Sequence, residues 1–292
     1  IIIVISNNIT SSCIMKNNLF KNKKNIKLFL YKNLKILSNS IYVFIKHLPD
    51  HNILNEIKNI NSYLVYEPLD IFWKEKSMVK YLDNIKEKFI YFDSILCNNN
   101  HILNFYKKNI TNKTYFLNYH EYDNFHLKFN YKYNNLNKPN ILYIGEITKS
   151  SFSKEFIKNK NILYVNYINN NKLNEINFNG IHIDFVLEKK IYYNIHTSTK
   201  LATCIKCDSI FICNKIPIYV ELLGDNYEYY LDDDLNNFDF IINKAVETYI
   251  DVKKYNNYLK KVKYIKEKLS PEFCFKNYIK ICNKINDSKS NK

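Results

Sequence analysis

The feature that most constrains this chain is an alternation of short apolar runs with longer amphipathic stretches. The runs are β-branched and aromatic: Ile1 to Ser6, Ile26 to Tyr31, Ile41 to Ile45, Ser62 to Tyr66, Phe89 to Cys97 and Thr114 to Leu117. Helical patterns stand between them, a lysine-rich one after Ser12 and then Ile53 to Ile60, Ile71 to Lys86 and His101 to Lys108. Runs that are apolar on both faces suit the interior of a parallel sheet, and parallel strands need crossover helices to join them. The alternation therefore predicts an α/β fold, an open, mostly parallel sheet with helices on its faces.

The alternation stops and restarts. Asn124 to Lys138 is polar and aperiodic, the best linker in the chain. Beyond it, strands are expected at Asn140 to Ile144, Ile162 to Tyr167, Ile181 to Leu187, Ser209 to Cys213 and Ile216 to Tyr219. Helices are expected at Glu155 to Lys158, Leu235 to Ala245, Lys253 to Leu269 and Phe273 to Ile285, with Pro271 punctuating the last two. Two alternations in 292 residues imply two domains, 1–135 and 136–270, followed by a C-terminal helix and tail, 271–292.

Composition narrows the class. An apolar content of 46%, with 16% aromatic residues, suffices for two cores and excludes a disordered chain. The formal charge of +15 would ordinarily suggest nucleic acid or an anionic membrane. Here the lysines are spread along the chain, and arginine and glutamine are absent, a bias of the kind AT-rich coding produces. No nucleic-acid partner is therefore expected, and a basic nucleic-acid binder stands only as a minor alternative. The 7 cysteines are odd in number and irregularly spaced, which fits reduced thiols and a cytoplasmic location. Cys204 and Cys207 form one C-x-x-C with no second pair at zinc-ribbon spacing, so buried thiols are expected rather than a metal site. No apolar run approaches the ~18 residues of a membrane span, which leaves peripheral membrane contact as the open case.

The stretch from His196 to Asp234 carries the most chemistry. Ser198 or Thr199 can cap a helix, and Lys200 then stands in its first turn, where the helix dipole disfavours a cation. A bound phosphate would explain that placement, because amides, hydroxyls and an ammonium would converge on the same oxygens. A capped surface helix with a solvated lysine is the plain alternative. Thr199, Lys200, Leu201 and Ala202, a strand about ten residues on, then Pro217 and the run Glu221, Leu222, Leu223, Gly224 together resemble the donor half of a GT-B glycosyltransferase. Asp208 and Ile210 stand where relatives usually carry Gly-x-Pro, and Thr203 where many retaining members carry glutamate.

That resemblance implies two Rossmann-like domains facing a cleft, with the final helix crossing back to the first domain. It implies a nucleotide-sugar substrate, UDP- or GDP-linked, whose diphosphate is held without a metal or other cofactor. The matching positions are Ser198, Thr199, Lys200 and Leu201, joined by Gly145 and Lys149 from the loop after Asn140 to Ile144, with Glu221 on the ribose. The acceptor would be a glycan, a lipid-linked sugar or a protein. A non-catalytic GT-B-like protein that binds a glycan or nucleotide is the alternative.

If transfer inverts the anomeric centre, a base must deprotonate the acceptor. In open parallel sheets ligands gather beyond the carboxyl ends of the strands. His120, Glu121 and Asp123 follow one expected strand, Glu67 and Asp70 another, and His47, Asp50 and His51 a third. A retaining mechanism needs no such base. Asp232 to Asp234 resemble a GT-A metal motif but precede a helical pattern, so capping is expected of them.

Overall fold

The computed structural model describes residues 1–6, 19–46, 48–69, 78–110, 113–119, 138–145, 151–165, 177–187 and 198–290. The chain divides into two compact units, Ile1–His120 with Pro271–Lys292, and Glu121–Ser270. Each is built on one sheet whose strands all run parallel.

In the first unit the strands are β1 (Ile2–Ser6), β2 (Ile26–Leu30), β3 (Ile41–Ile45), β4 (Tyr63–Glu67), β5 (Ser94–Cys97) and β6 (Thr114–Leu117), in the order β2-β1-β3-β4-β5-β6. All five residues of β3 are buried, as a strand covered on both faces requires. Helices α1 (His51–Asn59), α2 (Met78–Phe89) and α3 (Asn100–Asn109) make the crossovers, and Asn99 caps α3 through the Ile102 amide at 2.8 Å. The expected strand from Phe89 begins only at Ser94. Phe89 closes α2 and packs with Phe92 and Tyr66, so its aromatic run serves a helix end and a turn.

The last helix belongs to this unit. Tyr278, Ile281, Cys282 and Ile285 share one core with Val4, Val43 and Val65. It is α9 (Pro271–Ser290), and Asn277 fastens its side by donating to Leu117 O and Asn118 Oδ1, both at 3.0 Å. Tyr278 is wholly buried, 4.6 Å from the Phe20 ring.

The second unit orders its strands β11-β10-β9-β7-β8: β7 (Asn140–Ile144), β8 (Leu163–Val165), β9 (Gly180–Asp184), β10 (Ile210–Asn214) and β11 (Tyr230–Leu231). Its helices are α4 (Lys154–Asn159), α5 (Thr199–Lys206), α6 (Pro217–Leu223), α7 (Phe238–Ile250) and α8 (Val252–Lys268). Gly180 is there for space: a Cβ would lie 2.5 Å from the Asn140 carbonyl on β7. Ile216–Tyr219, expected as a strand, instead enters α6. Ile216 is its extended N-cap and Pro217 its first residue, where the missing N–H is no loss. The helix expected from Leu235 starts at Phe238, because Leu235 takes a left-handed turn at φ 61°. Asp232 to Asp234 do not cap it. Asn237 holds the N-cap, while Asp233 accepts from Asn214 and Asp234 from the Asn236 amide. Among the described residues no helix is long and apolar enough to cross a membrane.

The Tyr278 hydroxyl is buried with no hydrogen-bond partner among the described residues. An unsatisfied buried hydroxyl lowers stability, whereas the packed ring raises it. Tyr278→Phe should therefore leave the melting temperature unchanged or raise it, and Tyr278→Ala should cost about 3–5 kcal/mol in urea unfolding.

Candidate functional site

In the second unit the chain leaves β7 toward β8 on one side and later returns to β9 on the other. Such a reversal opens a crevice beyond the carboxyl ends of the two central strands, where α/β sheets hold ligands. The residues at this point are Tyr143 and Gly145 from β7 and the residue after it, Asp184 ending β9, and Ser198 and Lys200 at the start of α5. The lysine stands one and two turns before Cys204 and Cys207, on the α5 face turned to the buried interior.

Lys200 is not a solvated lysine. Its side chain is 17% exposed, and its ammonium donates to Asp184 Oδ1 at 2.6 Å and to the Tyr143 hydroxyl at 2.8 Å. It also lies 4.3 Å from the centre of the Tyr143 ring. The second Asp184 oxygen accepts from the Tyr219 hydroxyl of α6 at 2.6 Å, and the aspartate is fully buried. Burial alone would pull the lysine down, but the Asp184 charge and the two hydrogen bonds outweigh it and hold it above its ordinary value. The Tyr219 phenol is pushed well up, first by burial and then by the same carboxylate.

Gly145 completes the contact. Its φ of +128° is one that side-chain-bearing residues rarely adopt, and a Cβ there would meet Lys200 Cε at 3.3 Å. The glycine both turns the chain and makes room for the lysine stem. Ser198 occupies the N-cap of α5, yet it makes no capping bond. Its hydroxyl is buried, with no hydrogen-bond partner among the described residues. The first intrahelical bond is Ala202 N to Ser198 O, at 2.7 Å, so the amides of Lys200 and Leu201 stand in the first turn ahead of the intrahelical ladder. First-turn donors beside a buried hydroxyl suit an anion or a sugar oxygen.

The structure thus brings Gly145, Ser198, Thr199, Lys200 and Leu201 to one place. Glu221 follows Tyr219 by two residues, about 200° around α6. Its carboxylate partly offsets the burial that lowers Lys268 on α8, and Tyr219 is the α6 side chain whose bond reaches the Lys200 group. Lys149, His120, Glu121, Asp123, Asp70 and His47 lie outside the described residues. Glu67 ends β4 and is 1% exposed; its charge helps raise Cys97 and also Tyr278 and Cys282 of α9. His51 lies against Tyr91 at 3.4 Å.

Sequence reasoning passed over Asp184 and Tyr219 as partners of Lys200. The usable signal was an acid at a strand's carboxyl end followed by a helix with a lysine in its first turn. His182, on the same face as Asp184, is a packing residue: it is buried and bonded to Phe178 O at 2.7 Å. Burial pushes it down to about 4, with that bond opposing. Burial also pushes up both thiols of the C-x-x-C, Cys204 well above its ordinary value and Cys207 to about 12.

No protein-family model matches this sequence, and no curated protein matches it. Solved structures do match in fold. A crystal structure of the GtfA/B complex superposes with a TM-score of 0.53 at 7% identity, over 86% of this chain and 58% of that one. A structure of accessory secretory protein 1, 2 and 3 in Streptococcus pneumoniae gives 0.50 at 14% identity, over 87% and 54%. A Gap123 complex from Streptococcus agalactiae, called a glycosylation associate protein, gives 0.45 at 11%, over 80% and 53%. The chain spans little more than half the length of the solved chains it matches, and at these identities the likeness is one of fold.

Removing one partner of a buried ion pair leaves the other charged and desolvated. Lys200→Met should cost about 3–5 kcal/mol at neutral pH, and the double change with Asp184→Leu should recover most of that, read as a non-additive double-mutant cycle in urea. His182 binds its proton less readily folded than unfolded. Its stabilising effect is therefore full above pH 6.5 and is lost as pH falls toward about 4. His182→Gln, which can keep the bond to Phe178 O, should flatten the stability profile across that window by roughly 3 kcal/mol.

Proposed function

We propose that this chain is a glycosyltransferase-type protein that binds a UDP- or GDP-linked sugar at the switch point of its second unit. The observation that carries this reading is the amino end of α5. There a buried Ser198 hydroxyl with no partner among the described residues stands beside the first-turn amides of Lys200 and Leu201, next to Gly145. The fold likeness to the GtfA/B complex and to the accessory secretory proteins supports it.

In this reading the α5 amides and Ser198 donate to the diphosphate oxygens. Lys200 adds the one ammonium proton that Asp184 and Tyr143 leave over. As the glycosidic bond to the sugar breaks, charge builds on the departing diphosphate, and preset donors stabilise it without reorganising. The acceptor, a glycan, a lipid-linked sugar or a protein, is assigned to the first unit. The fold neighbours are complexes, and by that analogy this chain too works with partner chains.

A second reading is binding without transfer. It is favoured by one observation, that Asp184 already neutralises Lys200 at 2.6 Å.

Titration calorimetry with UDP, GDP and their sugars separates these outcomes. Wild type should bind at least one. Ser198→Ala should weaken that affinity about tenfold while leaving thermal stability unchanged or higher, since the deleted hydroxyl has no partner among the described residues. Absence of binding by every nucleotide would sink the proposal. Binding with no transfer and no hydrolysis of any sugar nucleotide selects the second reading.

A further inference from the structure

The same site carries an inference about charge, which rests on the nucleotide-binding reading above. A lysine at a diphosphate site ordinarily brings one net positive charge. Here that charge is already countered: Asp184 Oδ1 is 2.6 Å from the ammonium, and the aspartate is held in place through its other oxygen by Tyr219 at 2.6 Å. The aspartate is fully buried and the lysine 17% exposed, so solvent screens the pair only weakly. Among the described residues the crevice offers a ligand dipoles, namely the Lys200 and Leu201 amides and the Ser198 hydroxyl, and one proton of a neutralised ammonium.

We infer that Asp184 is a specificity-determining residue that sets how much ligand charge the site accepts, favouring a diphosphate diester over one with a free terminal phosphate. A sugar nucleotide has one negative charge on each phosphate. The nucleoside diphosphate left after transfer carries a terminal group that ionises a second time near pH 6. A site whose described residues carry no surplus positive charge gains little from that additional charge. It therefore holds the substrate well and releases the product readily.

Among the described residues, the groups coupled to the pair with resolved shifts do not change charge in the relevant range. His182 on β9 is pushed down to about 4, and Tyr219 on α6 and Cys213 on β10 are pushed well up by burial first and then by Asp184. Tyr143 from β7 also faces the pair, and it accepts from Lys200 through its phenol oxygen. With these groups fixed in charge, the ligand's own second ionisation is the change to which binding responds.

The test is titration of a nucleoside diphosphate and its sugar against wild type and Asp184→Asn, between about pH 5 and pH 7.5, spanning the second phosphate ionisation. In wild type, affinity for the nucleoside diphosphate should stay flat or fall as pH rises, and affinity for the sugar nucleotide should not respond. Asp184→Asn keeps the shape and frees the lysine charge. It should shift the preference about tenfold or more toward the nucleoside diphosphate and make that affinity rise with pH. A folded Asp184→Asn that binds both ligands with unchanged preference overturns the inference while leaving nucleotide binding intact. Should that variant not fold, a wild-type affinity for the nucleoside diphosphate that climbs with pH overturns it equally. If wild type binds neither ligand at any pH, the parent reading fails, and this one with it.

Discussion

The buried pair of Lys200 and Asp184 is the interaction on which the second unit's site depends. It joins the first turn of α5 to the end of β9, and its two tyrosines recruit β7 and α6 to the same point. A pair of this kind gives little net stability, because desolvating both ions offsets their attraction. Its effect is geometric. Once the lysine must find that carboxylate, α5 can enter the unit in only one register. The first-turn amides then open at the crevice between β7 and β9. Gly145 answers the same demand, since a side chain there would crowd the lysine stem.

The first unit treats the corresponding edge of its sheet differently. Among the described residues its buried polar groups there include Ser6, Glu67, Asn98, Asn99 and Asn118. Asn99 caps α3, and Asn118 donates to Cys274 O and accepts from Asn277, so its bonds go to α9. One edge uses polar groups to seat a helix, and the other uses them to seat a lysine and leave donors over. Two similar sheets thereby come to differ in chemistry, through the segments leaving the carboxyl end of each strand rather than through the strands themselves.

Much of the fold was legible in the sequence because buried parallel strands announce themselves. Ile41–Ile45, Thr114–Leu117 and Asn140–Ile144 match their apolar runs to the residue. The misreadings fell where an apolar run serves a helix. Phe89 closes α2 and Ile216 precedes α6, and nothing in a short apolar run separates these uses from a strand. In the site, the oddity of a first-turn lysine was visible, but its partner was not. Asp184 lies 16 residues earlier on another element, and only the crossover from β9 to α5 brings the two together. For α6 the limit was of another kind. Position along α6 was readable, but which side chain would turn toward Asp184 depended on the phase of a helix that begins at Pro217.

The membership of α9 in the first unit has a consequence for synthesis. A nascent chain leaving the ribosome presents all six strands of that unit long before Tyr278 and Ile281 emerge to cover Val4, Val43 and Val65. The second unit, continuous in sequence, has its whole complement by Ser270. The half translated earlier must therefore wait, with an apolar flank uncovered, until the half translated later is out. Protection of that flank by a holdase during the delay would matter more to yield than the stability of the finished molecule.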